Sequence, residues 1–279
     1  MLTDPLIIES PIVIRPNGGL CNLLRVVFSW LMYARSINKK LVVLWELTDH
    51  CTGFFLDYFH PIEDVTFIIN DFEKYKNTKI GVDMHGDHSL WNIADPTFIK
   101  NDFKEYKNTK IDYIGVNCHR DYSQRNMFIY KDLKLLPYIV DIIKNKIEEM
   151  ISNSRDDKSY MAVHIRRTDH ISYALQYGHF TTDQEFIDFI KNNNDVYSSL
   201  YIATDNVETH NKFNEMFHDK YHINKFIDFD KDVCRQTSLL DSIIDIYMCI
   251  NADVFKGSVL SSFSELIDHM RHHNKQCLE

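Results

Sequence analysis

Apolar residues fall along this chain in two alternating patterns, short unbroken runs and longer stripes spaced by three and four positions. The runs read as strands buried on both faces, and the stripes as helices with one packed side. Residues 11–15 form such a run, and Pro16-Asn17-Gly18-Gly19 breaks it. Residues 20–37 keep helical spacing through Leu23, Leu24, Val27, Trp30, Leu31 and Ala34, and 41–45 is a second run. The pattern predicts a βαβ unit with a glycine-rich first turn. Residues 136–151 are amphipathic through Ile139, Ile142, Ile143, Ile147 and Met150. From there the alternation is regular. Strands are predicted at 161–166, 200–204, 225–229 and 253–257, and helices at 183–192, 207–217, 236–250 and 264–275. Four strands alternating with four helices imply a parallel sheet covered on both faces. Thr182 with Glu185, and Ser262 with Glu265, fit capping boxes. Asp205 can cap helix 207–217.

The stretch between the halves is less regular. Residues 51–59 are aromatic-rich and suggest a short helix. Residues 67–80 recur at 98–111, each with a Phe-Ile-x-Asn-Asp-Phe start and a Tyr-Lys-Asn-Thr-Lys-Ile end. Two copies are too few for a solenoid, and the pair reads as a duplication within a surface insertion. The polar run Ser152-Asn153-Ser154-Arg155-Asp156-Asp157 is the best linker. It divides the chain into domains of residues 1–153 and 154–279, with a cleft expected between them.

Length and composition narrow the function. A chain of 279 residues with 44% hydrophobic and 25% charged residues can bury two modest cores. The net charge of −9 argues against nucleic-acid or anionic-membrane binding, which reward an excess of Lys and Arg. No run approaches the ~18 apolar residues of a membrane span. The six cysteines are scattered with no Cys-x-x-Cys, so neither a zinc site nor a redox pair is expected. A soluble, cytoplasmic protein of a reducing compartment follows from this pattern.

The candidate chemistry gathers where strands end. The run from Met161 to Ile165 leads straight into Arg166, Arg167, Thr168 and Asp169. The carboxyl edge of a parallel sheet is where open α/β folds hold ligands, and an arginine offers a charged fork that matches phosphate oxygens. The last strand runs into Gly257-Ser258-Val259-Leu260-Ser261-Ser262, where Ser261, Ser262 and a helix N-terminus make a phosphate-sized site. Gly18 and Gly19 would let backbone approach a ligand, with Asn22 and Arg25 on the turn that follows. Asp245 sits in the apolar run Ile243-Ile244-Asp245-Ile246-Tyr247, where an acid needs partners. A carboxylate there could accept from the ring N–H and amino group of a guanine. His164 can pack in the core or touch a ligand.

The segments His164-Ile165-Arg166-Arg167-Thr168-Asp169, Tyr201-Ile202-Ala203-Thr204-Asp205, Asp245 with Ala252-Asp253, and Ser261-Ser262-Phe263-Ser264 together resemble the three C-terminal motifs of GDP-fucose-dependent fucosyltransferases. That group includes the α-1,2, α-1,6 and protein O-fucosyltransferases, and Gly18-Gly19-Leu20-Cys21-Asn22 looks like their N-terminal glycine-rich loop. The resemblance covers roughly residues 160–265 and, more loosely, 11–45. It implies a GT-B-like α/β fold of two Rossmann-like domains with the donor held by the second, inverting transfer of fucose to a glycan hydroxyl, and no metal or other cofactor. It further implies that Arg166 holds the β-phosphate, His164 touches the nucleotide, Asp245 reads guanine, Ser261 and Ser262 bind phosphate, and Asn22 borders the reacting centre. Arg167, Asp205, Gly18 and Gly19 complete the expected donor-binding set, and Arg166, Asn22 and Asp169 the catalytic one. The α-1,6 enzymes carry a glutamate base five residues after the motif's aspartate, where this chain has Ala174. The base is therefore open among three side chains, Asp169, His170 and Glu46, or the leaving diphosphate takes the proton itself. Another nucleotide-sugar donor, or a non-catalytic nucleotide-binding module, are the alternatives.

Overall fold

The computed structural model describes residues 11–16, 18–36, 38–70, 80–83, 115–118, 129–154, 159–227 and 236–273. They divide into two compact units, Met1–Lys134 and Leu135–Glu279. The division comes before the polar run at 152–157, not within it. The amphipathic helix preceding that run belongs to the second unit, because its Ile139, Ile143 and Met150 are buried there. A helix follows the surface that covers its apolar stripe, whichever side of it is more polar in sequence.

In the first unit, β1 (Ile12–Pro16), α1 (Leu20–Ser36) and β2 (Leu41–Leu44) form the expected βαβ unit. Three further strands join it: β3 (Val65–Ile68), β4 (Ile80–Asp83) and β5 (Gly115–Cys118). All pairs are parallel, in the order β3-β2-β1-β5-β4. α1 buries an almost continuous surface including Leu23, Leu24, Val27, Trp30 and Leu31. β3 corrects the reading of residue 67 onward as a surface insertion. Phe67 stacks on Phe55 with ring centroids 4.3 Å apart and meets Trp45 edge-on at 5.9 Å. Within 51–59 only Phe55–Asp57 is helical, as a single 3-10 turn. The second copy of the repeat and most of the first lie outside the described residues.

The second unit opens with α2 (Pro137–Ser152) and continues β6 (Met161–Ile165), α3 (His170–Gln176), α4 (Asp183–Asn192), β7 (Ser199–Thr204), α5 (Val207–Phe217), β8 (His222–Ile223), α6 (Leu239–Asn251), β9 (Val254–Lys256) and α7 (Ser262–His273). The sheet is parallel in the order β8-β7-β6-β9. On one face Phe186 and Ile190 of α4 and Phe213 and Phe217 of α5 pack on Met161, Val163, Ile165, Leu200 and Ile202. α6 packs on β6 and β7 and is flanked by α2 and α7. That position explains why Ile243, Ile244 and every residue from Ile246 to Ile250 are buried. Its surroundings are apolar on nearly every side.

Two predictions shift in this unit. The strand expected at 225–229 is the two-residue β8, three positions earlier at its start, and residues 228–235 are not described. Helix α3 was not expected. Its apolar content gives no stripe, since only His170 and Ala174 are buried, one turn apart.

Candidate donor site at the β6 and β9 tips

The chain order places β6 between β7, which follows it, and β9, which arrives later from the other side. This is a topological switch point, where two neighbouring turns diverge and leave a crevice. The turn after β6 carries Arg166 to Asp169, and the turn after β9 carries Gly257 to Ser261. Both lie at the carboxyl edge, because β6 and β9 run parallel with Met161 opposite Val254 and Val163 opposite Lys256.

Hydrogen bonds join the two turns. The Arg166 backbone N–H donates to Ser258 Oγ at 2.9 Å, and that hydroxyl donates to the His164 carbonyl at 3.1 Å. His164 Nδ1 lies 2.7 Å from Ser264 Oγ, and its ring stacks on Phe263 at 4.3 Å. Gly257 makes this approach possible. A Cβ there would stand 2.5 Å from Ser264 Cβ. Ser261 is buried and its carbonyl accepts the Glu265 N–H at 2.9 Å, so it precedes the first turn of α7 with Ser262 as the first helical residue. The expected box had Ser262 as the cap; the helix starts one residue too early for that.

Arg166 is 8% exposed, and its guanidinium is held by the carboxylates of Asp205 and Asp169. Asp205 is buried and also receives Thr168 Oγ1, the Arg167 backbone N–H at 3.0 Å and Asn206 Nδ2 at 3.2 Å. This overturns Asp205 as the cap of α5. Asn206 is the cap, its side chain accepting from the Thr209 N–H at 2.8 Å. An acid beside a buried arginine gains more from the ion pair than from one helix N–H. Asp205 is thus the residue that aims Arg166. Arg167 turns elsewhere: it donates to the Arg166 carbonyl at 3.0 Å, pairs with Asp183 and lies over the rings of Phe180 and Phe186. Burial raises the Asp183 pKa, but Lys212 and Arg167 outweigh it and hold it below the usual range. A cleft of about 470 Å³ opens beside Arg167 and Thr168.

Asp245 lies apart from this network, within α6. Its Oδ1 accepts from Tyr201 Oη at 2.7 Å. It lines a pocket with Lys146, Thr204, Asn224, Phe226 and Asp241. Burial raises its pKa to about 7, with Tyr201 pulling the other way and Asp241 adding to the rise. Burial, with Asp245 adding to it, also pushes the Tyr201 hydroxyl well up.

In the first unit Gly18 has φ +103°, and a Cβ there would meet Asn22 Nδ2 at 3.0 Å. The backbone conformation favours glycine, and a side chain there would also have to displace the end of Asn22. The Gly19 carbonyl accepts the Leu23 N–H at 3.0 Å as α1 begins.

Of the three possible bases, Glu46 is paired with Arg15, and His170 Nε2 lies 2.8 Å from the Val259 carbonyl. Ala174 is wholly buried, so that position faces the fold. Ser258, Ser264 and Gly257 were not singled out from sequence. Gly257 and Ser258 are small residues immediately after β9 and Ser264 lies in the first turn of α7, positions that sequence alone cannot tell from an ordinary turn and helix start. Among the described residues no three His, Cys, Asp or Glu side chains form a metal cage, and no helix is long and apolar enough to cross a membrane.

No protein-family model and no curated protein matches this chain. Solved structures do. The NodZ α-1,6-fucosyltransferase soaked with GDP-fucose is similar over 94% of this chain and 92% of its own, with a TM-score of 0.61 and 16% identity. The fucosyltransferase NodZ from Bradyrhizobium gives 0.56, at 17% identity, over 93% of this chain and 92% of its own. POFUT1 in complex with GDP-fucose gives 0.61 over 97% and 96%, at 15% identity. A single-residue mutant of Arabidopsis thaliana FUT1 in complex with GDP gives 0.52 over 94% and 69%, at 12% identity. The chain therefore has the α/β, GT-B-like fold of solved fucosyltransferases.

Proposed function

We propose that this protein transfers fucose from GDP-fucose to a hydroxyl of a glycan acceptor, with inversion and without a metal ion. The observation that carries this reading is the junction at the switch point: a buried, aimed arginine and a serine turn on adjacent strand tips, tied through Ser258. The fold shared with fucosyltransferases supports the same reading.

Breaking the sugar–phosphate bond builds negative charge on the departing β-phosphate oxygen. A fixed charged donor lowers that barrier most when it needs no rearrangement. Arg166 has this property, since Asp205 holds it from below the turn, and Asp169 is the more exposed partner that a phosphate would displace. Ser261, Ser262 and the start of α7 supply further donors to the diphosphate. His164, stacked on Phe263, borders the nucleotide. Asp245 accepts from the guanine ring N–H and amino group, a pair that uracil lacks. Arg167 and Asp205 act through Arg166. Asp169, the exposed carboxylate of the turn, takes the acceptor proton once the diphosphate engages Arg166. Gly18, Gly19 and Asn22 form the acceptor-side turn of the first unit.

GDP is expected to raise the melting temperature where UDP does not. Arg166→Ala is expected to lower fucosyl transfer by two to three powers of ten, about 3–4 kcal/mol. Normal turnover by that variant, or equal stabilisation by GDP and UDP, overturns the assignment.

A further inference from the structure

The turn that presents Ser261 and Ser262 is held from outside the donor site. Val259 is gripped at both of its polar backbone groups. Its carbonyl lies 2.8 Å from His170 Nε2, and its N–H donates to Thr181 Oγ1 at 2.9 Å. Both side chains are buried, His170 at 9% and Thr181 at 3% exposure. A carbonyl oxygen only accepts, so His170 Nε2 carries the proton and donates it. That nitrogen is consequently closed to acceptor chemistry, and only Nδ1 of His170 keeps a lone pair.

The grip has a purpose in the backbone that follows. Leu260 adopts φ +59°, the left-handed region that a residue with a Cβ enters at a cost. Such a conformation persists only where its surroundings enforce it. Leu260 leads directly into Ser261. His170 is also the first residue of α3 and follows Asp169, the exposed partner of Arg166. The same short segment therefore touches both halves of the proposed diphosphate cradle. The charged groups facing His170 are Arg166, Asp169 and Asp205. Burial, with Arg166 helping, holds its pKa below the usual histidine value. The ring is thus neutral at physiological pH, with the proton on Nε2.

We infer that His170 and Thr181 are positioning residues that clamp Val259 and so hold the serine turn in its ligand-ready shape. Neither touches the nucleotide. The clamp concerns the shape of the turn, and it rests on the GDP reading only for its nucleotide readout.

Amide hydrogen exchange of the ligand-free protein tests the clamp directly. His170→Leu removes the donor and is expected to speed exchange across 258–262 by about tenfold, the scale of one lost hydrogen bond. His170→Gln, which places an amide N–H near the Nε2 position, is expected to restore most of that protection. Thr181→Val removes the acceptor for the Val259 N–H and should speed exchange in the same segment. GDP affinity is expected to fall by about tenfold in His170→Leu and Thr181→Val and to recover to within about threefold in His170→Gln. Unchanged exchange in both His170→Leu and Thr181→Val overturns the clamp, as does a Gln variant no better than Leu, which would mean that ring packing alone matters. Should His170→Leu not fold, Thr181→Val and His170→Gln decide the question. A wild-type protein that binds no GDP refutes the donor reading, while the ligand-free exchange still decides the clamp.

Discussion

Asp205 and Asp245 both belong to the second unit, one just past the tip of β7 and one within α6, and their surroundings give them opposite characters. Asp205 faces a cation and several N–H and O–H donors, so its charge is compensated where it stands. Asp245 meets the Tyr201 hydroxyl, the Lys146 charge and a neighbouring acid, and burial outweighs the first two, so its carboxyl holds a proton up to about pH 7. The lesson is that burial alone does not set the state of an acid; the sign and number of its partners do. One acid is part of the scaffold that aims an arginine. The other is poised to ionise when a ligand offers it N–H donors.

The largest effect should come from breaking the compensated site. Asp205→Ala leaves Arg166 buried with only the exposed Asp169 as counter-charge, and takes the acceptor from the Arg167 N–H. A loss of about 3–5 kcal/mol in unfolding free energy is expected from urea titration. A loss under about 1 kcal/mol would show that Asp205 is dispensable to the turn.

Asp245→Asn probes the other side of the contrast. The native pKa of Asp245 lies above its ordinary value, so its contribution to stability is fully present below about pH 4. It is lost as pH rises through about 7. The Asn variant should lack this slope and exceed the wild type at pH 8 by about 3 kcal/mol, from a shift of about 3 pKa units at 1.36 kcal/mol each, discounted for relaxation. GDP affinity should move the opposite way in the wild type, rising with pH through about 7 as the carboxylate forms, and should be weak and flat in the variant. Parallel stability curves for the two proteins between pH 4 and 8 would refute the assignment.

Tyr201→Phe is the gentlest test. It removes a hydrogen-bond donor that, together with the Lys146 charge, favours the Asp245 carboxylate. The midpoint of the stability slope should move to higher pH, and stability at pH 8 should fall by about 1 kcal/mol. A midpoint that stays or drops would show that the hydroxyl does not govern this acid.

The strands and helices that bury one clear face were legible in the sequence. β6, β7, α1, α4, α5 and α7 fall within a few residues of their predicted spans, because spacing of apolar residues records burial directly. The Thr182–Glu185 capping box is present, since both its partners lie within one turn. α3 was not legible, because two buried residues make no stripe. β3 was hidden inside a repeat whose polar content suggested surface. The domain boundary was misplaced because a polar run marks a break in the chain, and α2 joins the unit that covers its apolar side.

By itself the sequence determined which residues could carry charge at a strand end, and that Arg166 and Asp205 each follow a buried run while Ser261 and Ser262 follow the last strand. Local spacing is enough for this, because a strand's end is a local property. Only the tertiary structure decided which carboxylate meets which arginine, that Arg167 serves the turn's packing, and that His170 and Thr181 close on Val259. Those pairings span 38 residues between Arg167 and Asp205, 78 between Thr181 and Val259 and 89 between His170 and Val259. They arise from the parallel crossovers that bring β7 and β9 to either side of β6, a geometry that no window of sequence contains.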